Sequence, residues 1–304
     1  MSSPAPKSKP SIVITGVSTG IGYAAAKWLT RRGYQVFGSV RSEADAMRLG
    51  KELGESYSPL VFDVTDPAAV EAGARVVSDR LGNSRLFALI NNAGIEVPGP
   101  LAYLPVDRFR LQLEVNLVGV LSVTQAFLPL LGLDPNRKGP PGRIINISSV
   151  SGRLAVPFVG AYCASKFGLE GLSDSLRREL KLFGIDVVLV EPGAVVTPMW
   201  DKAEGKVVAD FPGTPYDKSL RNFAEIAMKE GRSGFPAEKV AELIERILKA
   251  KRPKARYPIV PKHFMEYTIP RIMPTRMLDY FIGKYLGIGN GQAQPQPRRT
   301  ARNR

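Results

Sequence analysis

Residues 11–22 read SIVITGVSTGIG, and this stretch decides the fold. It opens with a continuous apolar run, which is typical of a strand covered on both faces of a parallel sheet. Gly16, Gly20 and Gly22 follow, and a helical pattern then begins. Glycines allow a sharp turn and let the backbone approach a pyrophosphate, which the free N–H groups of a helix N-terminus can bind. A tight strand–helix turn would explain the glycines alone, but the strand before them favours a dinucleotide site.

The same strand-then-helix pattern repeats along most of the chain. It predicts a parallel sheet with right-handed crossovers, and therefore an α/β Rossmann fold with helices on both faces. We expect one doubly wound domain over 11–250 rather than two domains. The predicted strands are Ser11–Thr15, Gln35–Val40, Leu60–Asp63, Leu86–Asn91, Arg143–Ser148 and Asp186–Glu191. The predicted helices span 21–32, 43–52, 67–81, 107–131, 162–183 and 237–249.

Four further segments flank or interrupt this domain. Residues 1–10 are expected to be a flexible tail, 202–235 a flexible insertion, and 289–304 a disordered basic tail. Residues 251–288 form a basic extension, where apolar pairs every four residues predict an amphipathic helix. That helix closes the substrate pocket, packs on a second subunit or lies on a membrane surface, and the sequence leaves all three open. The pairs are Met277/Leu278, Phe281/Ile282 and Tyr285/Leu286.

A single cysteine and a single histidine exclude several classes of chemistry. The chain has 304 residues, with Cys163 and His263 alone of their types. A disulfide framework, a cysteine-based zinc site and a multi-histidine site are excluded, so no metal is expected. A Ser-His-Asp hydrolase is disfavoured, because His263 near the C-terminus would have to serve it. We interpret Cys163 as a small buried residue and His263 as a surface or lid residue.

The basic charge of the chain lies at its ends. The formal net charge is +14, and 251–304 contain twelve lysines and arginines against two acids. The stretch 11–250 is nearly neutral, which disfavours nucleic acid, since a nucleic-acid enzyme more often carries its basic face on the folded body. A solubilising tail and contact with an anionic membrane surface through 251–304 both stay open. Because no secretory signal or long apolar window is present, we expect a cytoplasmic protein, or one peripheral to a membrane.

Tyr162 and Lys166 lie one helical turn apart at the start of a predicted helix, so their side chains share a face. A nearby ammonium favours the phenolate and lowers a tyrosine pKa. The pair can therefore act as a proton donor and acceptor that needs no histidine. Ser149 strengthens this interpretation, because it directly follows the predicted strand 143–148. An ordinary amphipathic helix start is the alternative explanation of the spacing.

The end of the second predicted strand bears on which nucleotide binds. An acid there hydrogen-bonds the ribose 2′-hydroxyl of NAD(H), whereas a base accepts the 2′-phosphate of NADP(H). No acid precedes Glu43, and Arg41 directly follows Val40, so a guanidinium can grip a phosphate there. NADP(H) is therefore favoured, with NAD(H) as the alternative and a solvated loop charge as the plainer interpretation of Arg41. Asp63, ending the third predicted strand, is placed to accept from the adenine amino group, with Val64 beside the ring.

Together, these motifs resemble those of the short-chain dehydrogenase/reductase family over about residues 10–250, in order and spacing. The stretch 162–176, YCASKFGLEGLSDSL, is most similar to members that act on retinol and hydroxysteroids. The resemblance is carried by Gly16, Gly20, Gly22, Asn91, Asn92, Ala93, Gly94, Asn116, Ser149, Tyr162, Lys166, Pro192 and Gly193.

The resemblance implies a role for each catalytic candidate. Tyr162 is the general acid in reduction and the base in oxidation, while Lys166 lowers its pKa and holds the nicotinamide ribose. Ser149 hydrogen-bonds the substrate oxygen, and Asn116 holds a helix kink and a water that joins Lys166 to solvent. Thr197 helps to bind the carboxamide or the pyrophosphate. The implied cofactor contacts are Gly16, Ser18, Thr19, Gly20, Ile21 and Gly22 at the glycine motif, Asn92, Ala93 and Gly94 beside the adenosine ribose, and Pro192, Gly193, Val195 and Thr197 beside nicotinamide.

The resemblance also implies an oxidoreductase that interconverts an alcohol with its aldehyde or ketone. The regions expected to set specificity are 95–105, 152–160 and 198–235, with the C-terminal segment; they contain many apolar residues, and basic residues facing the acceptor are scarce, with Arg153 the exception. We therefore expect an apolar, steroid-, retinoid- or lipid-like substrate. The alternative function is a nucleotide sensor or membrane-associated scaffold with little turnover, which the intact set of catalytic candidates disfavours.

A homodimer or homotetramer is expected through the predicted helices 107–131 and 162–183. Similar family members pair such helices across a two-fold axis. In the second helix, the apolar face is formed by Leu169, Leu172, Leu176 and Leu180.

Overall fold

The computed structural model describes residues 9–198, 206–261 and 267–288, and a parallel β-sheet runs through its centre. In chain order the strands are β1 Ser11–Ile14, β2 Gln35–Val40, β3 Tyr57–Val61, β4 Ala88–Asn91, β5 Arg143–Ile147, β6 Asp186–Pro192, β7 Val195–Val196, β8 Phe235–Pro236 and β9 Arg256–Ile259. Seven of them form one sheet in the order β3-β2-β1-β4-β5-β6-β9, with every neighbouring pair parallel. The strand order reverses between β1 and β4, so the switch point lies beside the glycine motif.

The helices follow the predicted alternation. They are α1 Gly20–Arg31, α2 Glu43–Leu53, α3 Pro67–Leu81, α4 Val106–Leu113, α5 Gly119–Leu128, α6 Gly160–Glu179, α7 Lys206–Ala209, α8 Asp217–Arg232, α9 Ala237–Lys249, α10 Ile269–Ile272 and α11 Thr275–Leu286. A π-helical turn, Glu114–Val118, joins α4 to α5, and short irregular turns lie at Pro129–Leu133, Val150–Gly152 and Leu180–Phe183. The start of α3 has a local cause: the Asp66 carboxylate accepts from Ala69 N at 3.1 Å, and Pro67 occupies the first turn.

Both faces of the sheet are covered, as the continuous apolar strands predict. On one face, Ile12 and Ile14 of β1 pack with α1 and α9, through residues such as Leu29 and Val240. On the other face, Val13 packs in the layer built by α3 and α5. Because successive side chains of a strand point to opposite faces, a strand buried on both sides must be apolar at every position. The predicted doubly wound architecture is confirmed.

The leucine face of α6 does not form a surface for a second subunit. Leu169, Leu176 and Leu180 are at most 8% exposed, and Leu176 and Leu180 pack in the layer that contains α3 and α5. The prediction that this leucine series forms a subunit contact is therefore wrong. A helix that covers a sheet must bury one stripe inside its own domain, and helical spacing alone does not distinguish that stripe from an intersubunit one.

The described part of the predicted flexible insertion 202–235 is helical. Helix α8 turns Leu220 and Phe223 inward, where they pack with Val97, Phe158 and Phe211 in a third apolar cluster. The expectation of an irregular segment is wrong for these residues. The apolar residues of α8 recur at helical spacing, at Leu220, Phe223, Ala224 and Ala227, so the sequence contains a helical signal that the prediction missed. Residues 202–205 lie outside the described part of the chain.

The extension 251–288 contributes to the central sheet. Its residues Arg256–Ile259 form β9, which pairs in parallel with β6, and this strand was not predicted. Its sequence, RYPI, is half-buried and contains a proline, as edge strands do. The predicted amphipathic helix is present as α11, with Phe281 and Tyr285 exposed and Leu286 buried. The tails 1–8 and 289–304, and His263, lie outside the described residues.

One helical run of the described residues, Val106–Leu133, is long and apolar enough to cross a membrane by length and composition. The sequence prediction of no such segment is therefore incomplete. Half of the apolar window of this run is buried, and Val123 and Phe127 of α5 pack beside the sheet. A core helix of a folded domain passes the same test, so the run is weak evidence for a membrane span.

Candidate active site

The catalytic candidates meet at the carboxyl ends of the central strands, where open parallel sheets bind ligands. Ser149 follows β5, Tyr162 and Lys166 stand on the first turns of α6, and Asn116 occupies the π-helical turn. Ser149 lowers the pKa of the Tyr162 hydroxyl, so the two side chains lie close together. The structure therefore brings all four sequence-predicted catalytic residues into one region.

Lys166 is held in place by strand β5. Its side chain is buried, its ammonium donates to the carbonyl oxygen of Ile147 at 2.8 Å, and the nitrogen lies 5.6 Å from the Tyr162 ring centroid. An ammonium has three donors, so two stay available toward the cleft. The Ser149 hydroxyl accepts from Ser151 N at 3.1 Å and donates to Pro192 O at 3.4 Å.

The electrostatics of this set differ from the sequence prediction. Burial raises the pKa of Tyr162 well above its usual value, the charge of Glu96 raises it further, and the hydrogen bond with Ser149 opposes both. Burial also lowers the pKa of Lys166 to about 8, while Glu170 opposes that shift. In this arrangement, burial determines the direction for both groups. The tyrosine pKa is therefore raised, not lowered as the Tyr/Lys spacing predicts.

Asn116 holds the loop that follows β4. Its fully buried amide accepts from Ile95 N at 2.9 Å and donates to Ile95 O at 2.9 Å and to Ser165 Oγ at 3.2 Å. Gln112, which was not predicted, accepts from Val97 N and donates to Ile95 O, both at 2.7 Å. Its position one turn before Asn116 on the same helix is the signal that could have found it. The π-helical turn lies where the resemblance implies a helix kink.

The glycine motif forms a cradle that fits a pyrophosphate. Gly16 and Gly20 have φ values of +70° and +64°, which L side chains rarely adopt. A Cβ on Gly22 would collide with the Gly16 carbonyl and the Asn92 amide. Thr19 precedes α1 without a capping hydrogen bond from its side chain, so the first N–H groups of α1 stay available to an anion. These features fit a dinucleotide.

On the predicted adenosine side, several side chains brace the backbone. The Asn92 amide donates to Thr15 O at 2.9 Å and to Gly16 O at 3.0 Å, which fixes the glycine loop to β4. Ala93 N donates to Thr15 Oγ1 at 3.0 Å. Because β3 ends at Val61, Asp63 lies two residues beyond the strand rather than at its end.

Asp63 has one oxygen committed to its own turn. Its Oδ1 accepts from Thr65 N at 3.0 Å and from Thr65 Oγ1 at 2.8 Å, and the neighbouring Val64 is buried. The turn begins where β3 ends, so the last residues of the predicted strand Leu60–Asp63 belong to this turn and not to the strand.

Two arginines flank the end of β2. Arg41 is exposed and directly follows Val40, the last residue of that strand, as predicted. Arg48 of α2 donates to Ser18 O of the glycine loop at 2.9 Å and to Asp45 at 2.7 Å. The pKa of Asp45 is lowered by Arg48 first and by Arg41 as well. Sequence reasoning missed Arg48, whose i,i+3 spacing from Asp45 was the available signal.

The segment after β6 lies against the same cradle. A Cβ on Gly20 would lie 3.4 Å from the Thr197 methyl carbon, which places Thr197 beside the glycine motif. Gly193 N donates to Ile259 O at 3.0 Å, where β9 supports the end of β6. Val195 is buried and pairs with Phe235 in the small sheet of β7 and β8.

An apolar cluster buried inside the fold adjoins the catalytic candidates, because its member Ala161 directly precedes Tyr162. It is the third apolar cluster, built by Val97, Leu104, Phe158, Ala161, Phe211 and Leu220. Phe158 has φ +70°, a strained conformation for a bulky residue that persists only where its surroundings enforce it. Its carbonyl accepts from Gly99 N at 2.7 Å. Cys163 is buried as expected, and its sulfur accepts from Val156 N at 3.4 Å.

Comparisons with known proteins agree with this geometry. A family model described as short chain dehydrogenase matches residues 10–207. The chain is 37% identical over 276 residues to an NADPH-dependent 3-dehydrocapnine reductase from Ornithobacterium rhinotracheale, covering 90% of this chain and 96% of that one. It is 32% identical over 283 residues to retinol dehydrogenase 16 from Mus musculus, covering 88% and 86%. A solved variant of actinorhodin polyketide ketoreductase with NADPH has a TM-score of 0.69 at 28% identity, covering 84% of this chain and 97% of that one.

Proposed function

The chain belongs to the short-chain dehydrogenase/reductase family, and from this premise we propose that Tyr162, Ser149 and Lys166 carry its proton chemistry. It is an NAD(P)(H)-dependent oxidoreductase that interconverts alcohols and carbonyl compounds. The observation that carries the proposed residue roles is the position of buried Lys166, whose ammonium is bonded to Ile147 O of β5 and lies 5.6 Å from the Tyr162 ring centroid, with Ser149 directly after the same strand. This set stands beside a glycine cradle that fits a dinucleotide.

Each of the three residues has a distinct task in this proposal. Tyr162 donates its hydroxyl proton to the carbonyl oxygen in reduction and takes it back in oxidation. Ser149 hydrogen-bonds that oxygen and stabilises the charge that develops on it. The dinucleotide, when bound, supplies or accepts the hydride. Lys166 uses its two remaining donors to hold the nicotinamide ribose, while its bond to Ile147 fixes the ammonium.

Asn116 is a positioning residue in this proposal. Its amide is occupied by Ile95 and Ser165, so it acts through the loop after β4 and through the start of α6. The water that the resemblance implies between Lys166 and solvent belongs to the same proposal. Asn116 therefore shapes the cleft without contacting the reacting atoms.

The raised pKa of Tyr162 favours carbonyl reduction near neutral pH. Because burial keeps the phenol protonated, the chain without substrate holds the acid form that reduction requires. Oxidation requires the phenolate, which burial and the nearby Glu96 both oppose. Reduction is therefore the direction that the cleft supports best.

NADP(H) is the favoured cofactor, with NAD(H) as the alternative. We propose that Arg41 and Arg48 face the 2′-phosphate, since both stand beside Asp45 at the end of β2. In this proposal the pyrophosphate would be held by the glycine motif, through Gly16, Ser18, Thr19, Gly20, Ile21 and Gly22. Asp63, Val64, Asn92, Ala93 and Gly94 border adenosine, and Pro192, Gly193, Val195 and Thr197 border nicotinamide.

The substrate is a small molecule, and we propose that it is largely apolar. We propose that the third apolar cluster, to which α8 contributes Leu220, borders the substrate site beside Tyr162. Apolar walls bind ligands mainly by burying their carbon surface, while a few polar groups set the orientation. Steroid-, retinoid- and other lipid-like carbonyl compounds share this character.

We also propose two surfaces for assembly and location. Members of this family commonly form oligomers, and Leu111, Val118 and Phe167 are exposed apolar residues on the α4, π-turn and α6 face. A homodimer or homotetramer would cover them. The exposed Phe281 and Tyr285 of α11, within the basic extension, fit peripheral contact of a cytoplasmic protein with an anionic membrane surface.

The proposed roles are tested by following nicotinamide absorbance with a panel of apolar ketones and aldehydes. The wild-type chain should oxidise NADPH with at least one of them, and Tyr162→Phe should not. Tyr34→Phe is the matched control, because Tyr34 is also a buried tyrosine with a raised pKa. It directly precedes β2 and so lies at the amino end of that strand, whereas the catalytic candidates lie at the carboxyl ends of the strands. Full turnover by Tyr162→Phe would exclude the proposed acid. Equal losses in both variants would indicate general damage to the fold.

A further inference from the structure

We propose that Arg256 of β9 is a positioning residue for Lys166: it ties helix α6 to strand β6 and so holds the Lys166 ammonium where the nicotinamide ribose binds. The inference rests on the proposed function, because Arg256 would act through a residue of that same site. It gives the basic extension 251–288 a part in cofactor binding. Sequence analysis did not single out Arg256, which lies in the first position of an unpredicted edge strand.

The Arg256 guanidinium contacts two successive turns of α6. Its Nε donates to Glu170 Oε2 at 2.9 Å, and its Nη2 donates to Asp174 Oδ1 at 2.8 Å. Glu170 follows Lys166 by four residues, and both are buried, so they share one face of the helix. A Cβ on Gly152 would lie 3.0 Å from the Lys166 carbonyl oxygen and 3.1 Å from Glu170 Cγ. The guanidinium therefore grips α6 directly after the turn that carries Lys166.

The same guanidinium reaches the end of β6. Its Nε lies 3.4 Å from Glu191 Oε1, and the buried Tyr267, which lies beyond β9, donates to Glu191 Oε2 at 2.5 Å. Glu191 directly precedes Pro192, which borders nicotinamide in the proposed function. One arginine of the extension thus joins the helix of the proposed ribose contact to the strand of the proposed nicotinamide contact.

The register of the sheet places this tie beside the anchor of Lys166. Arg256 pairs with Leu189 of β6, and the next row joins Val190 of β6 to Ile147 of β5. The carbonyl of Ile147 accepts from the Lys166 ammonium at 2.8 Å. Helix α6 is therefore bonded to the sheet at Lys166 and again over the two following turns. Such directional bonds fix the position and rotation of a helix on a sheet, which non-directional apolar contacts do not.

Stability alone is a poor explanation of this cluster. Glu191 is fully buried and Glu170 nearly so, and Oε1 of each accepts no hydrogen bond in the described part of the chain. Arg153 lies 3.9 Å from Glu170, and Arg177 bonds Asp174 within α6 itself. Desolvation offsets much of the attraction between buried charges, so apolar side chains of similar size often hold a fold as well. A planar guanidinium adds fixed directions toward two carboxylates, which suits it to placing α6.

The first experiment is a double-mutant cycle on NADPH affinity, measured by fluorescence titration of the full chain. The variants are Arg256→Met, Lys166→Ala and the two combined. Arg256→Met should weaken the binding of NADPH about 10-fold, the loss expected for one misplaced charge-assisted hydrogen bond. In the Lys166→Ala background it should have little further effect, because the residue that it positions is gone. The combined loss should therefore be well below the product of the two single losses.

Arg143→Met is the matched control. Arg143 also bridges elements of the sheet, since its Nη2 donates to Asp186 Oδ2 of β6 at 2.9 Å and to Ala250 O, directly after α9, at 3.0 Å. It begins β5 and so lies at the amino ends of the strands, away from the catalytic candidates. Arg143→Met should lower the free energy of unfolding, as Arg256→Met should, but should leave NADPH affinity near the wild-type value.

A second variant keeps the test valid if Arg256→Met does not fold, since that change leaves buried carboxylates without their cation. Arg256→Lys retains the charge, but its single ammonium cannot hold two turns of α6 in fixed directions. Its NADPH affinity should lie between those of the wild type and Arg256→Met, and its loss should also disappear in the Lys166→Ala background. A wild-type affinity in Arg256→Lys would show that the charge suffices and would overturn the positioning role.

Three further outcomes would overturn the inference. They are an unchanged NADPH affinity in Arg256→Met, equal losses of affinity in Arg256→Met and Arg143→Met, and single losses that multiply fully in the combined variant. Failure of the proposed acid is a separate result, because it is decided by the turnover of Tyr162→Phe. Coupling between Arg256 and Lys166 in NADPH binding would support the inference even if Tyr162→Phe kept full turnover. An unchanged NADPH affinity in Lys166→Ala would overturn both the ribose contact and its positioning by Arg256.

Discussion

The ammonium of Lys166 lies 5.6 Å from the ring centroid of Tyr162 and donates at 2.8 Å to the carbonyl of Ile147 on strand β5. The lysine is therefore anchored to the sheet beneath the tyrosine and has two donors left for a ligand. This relationship fits the proposed division of tasks, in which Lys166 holds the cofactor and Tyr162 moves a proton. Their substitutions should consequently have different kinetic signatures.

Replacement of Tyr162 by Phe should lower turnover by about 100- to 10,000-fold, because the phenol contributes proton transfer. Cofactor affinity should change little, since the ring and its packing remain. Stopped-flow reduction rates and fluorescence titration with NADPH measure the two effects separately. Near-wild-type rates in Tyr162→Phe, with Tyr34→Phe as the control, would contradict the assignment.

Replacement of Lys166 by Ala should damage both turnover and NADPH affinity. The variant removes the donors proposed for the ribose and an ammonium that burial has already made easier to deprotonate, since its pKa is lowered to about 8. The same two measurements apply, with the exposed Lys181→Ala as the control. A loss of rate with unchanged NADPH affinity would count against the ribose contact.

The two predictions combine sequence and structural information. Tyr162, Lys166 and Ser149 could be found from the sequence, because their spacing relative to a strand and a helix is local. The direction of the tyrosine pKa could not, because it depends on burial and on Glu96, which a different loop brings near. A pattern of residue types does not include the desolvation that tertiary packing imposes.

The fold shows the same division. Five of the first six strands were predictable, since they are buried along most of their length, whereas the edge strand β3, in which Pro59 and Val61 are exposed, was predicted three residues too late. Strand β9 was not predictable, because Arg256–Ile259 is an edge strand whose pairing with β6 is a tertiary event. Helix α8 could have been predicted, because its apolar residues recur at helical spacing; the sequence does not give the partners of that stripe, since Phe158 and Phe211 pack against it only in the fold.

Glu96 should make the stability of the protein depend on pH. Its pKa is about 7 in the folded chain against a usual value of 4.5, so the folded state binds more protons than the unfolded state between these values. The contribution of the protonated Glu96 carboxyl to the free energy of unfolding is fully present below the pKa that this group has in the unfolded chain. It is lost as the pH rises through about 7. Glu96→Gln should therefore stabilise the chain by on the order of 1–3 kcal/mol at alkaline pH, and much less in acid.

Urea unfolding of both proteins at a mildly acidic and a mildly alkaline pH measures this difference. Glu114→Gln, an exposed change of the same type, should show no such dependence. If Glu96→Gln were equally stabilising at both values, a cause other than the buried charge would have to act.

The exposed apolar face of α4 and α6 should mediate self-association. Phe167 is 46% exposed and lies on α6 opposite the buried leucine stripe, so Phe167→Asp should shift the protein toward the monomer by placing a charge in the interface. Sedimentation velocity over a range of concentrations measures the mass. Met47→Asp on α2, where Met47 is 64% exposed, is the control. A wild-type monomer at every concentration would exclude the proposed assembly.

Cofactor preference should depend on the two arginines beside β2. A guanidinium contact with a 2′-phosphate contributes roughly 1.5–3 kcal/mol as a charge-assisted bond, which is about a ten- to hundredfold preference. Arg41→Ala should therefore lower the affinity for NADPH much more than the affinity for NADH. The difference should shrink as the salt concentration rises, since Arg41 is exposed. Arg48→Ala should act in the same direction but also loosen the glycine loop, because Arg48 holds Ser18 O. Arg48→Ala should therefore weaken the binding of NADH as well.

Titration of both cofactors into each variant, with Arg75→Ala on α3 as the exposed control, distinguishes the two arginines. Equal losses of affinity for NADPH and NADH in Arg41→Ala would show that Arg41 is only a solvated loop charge.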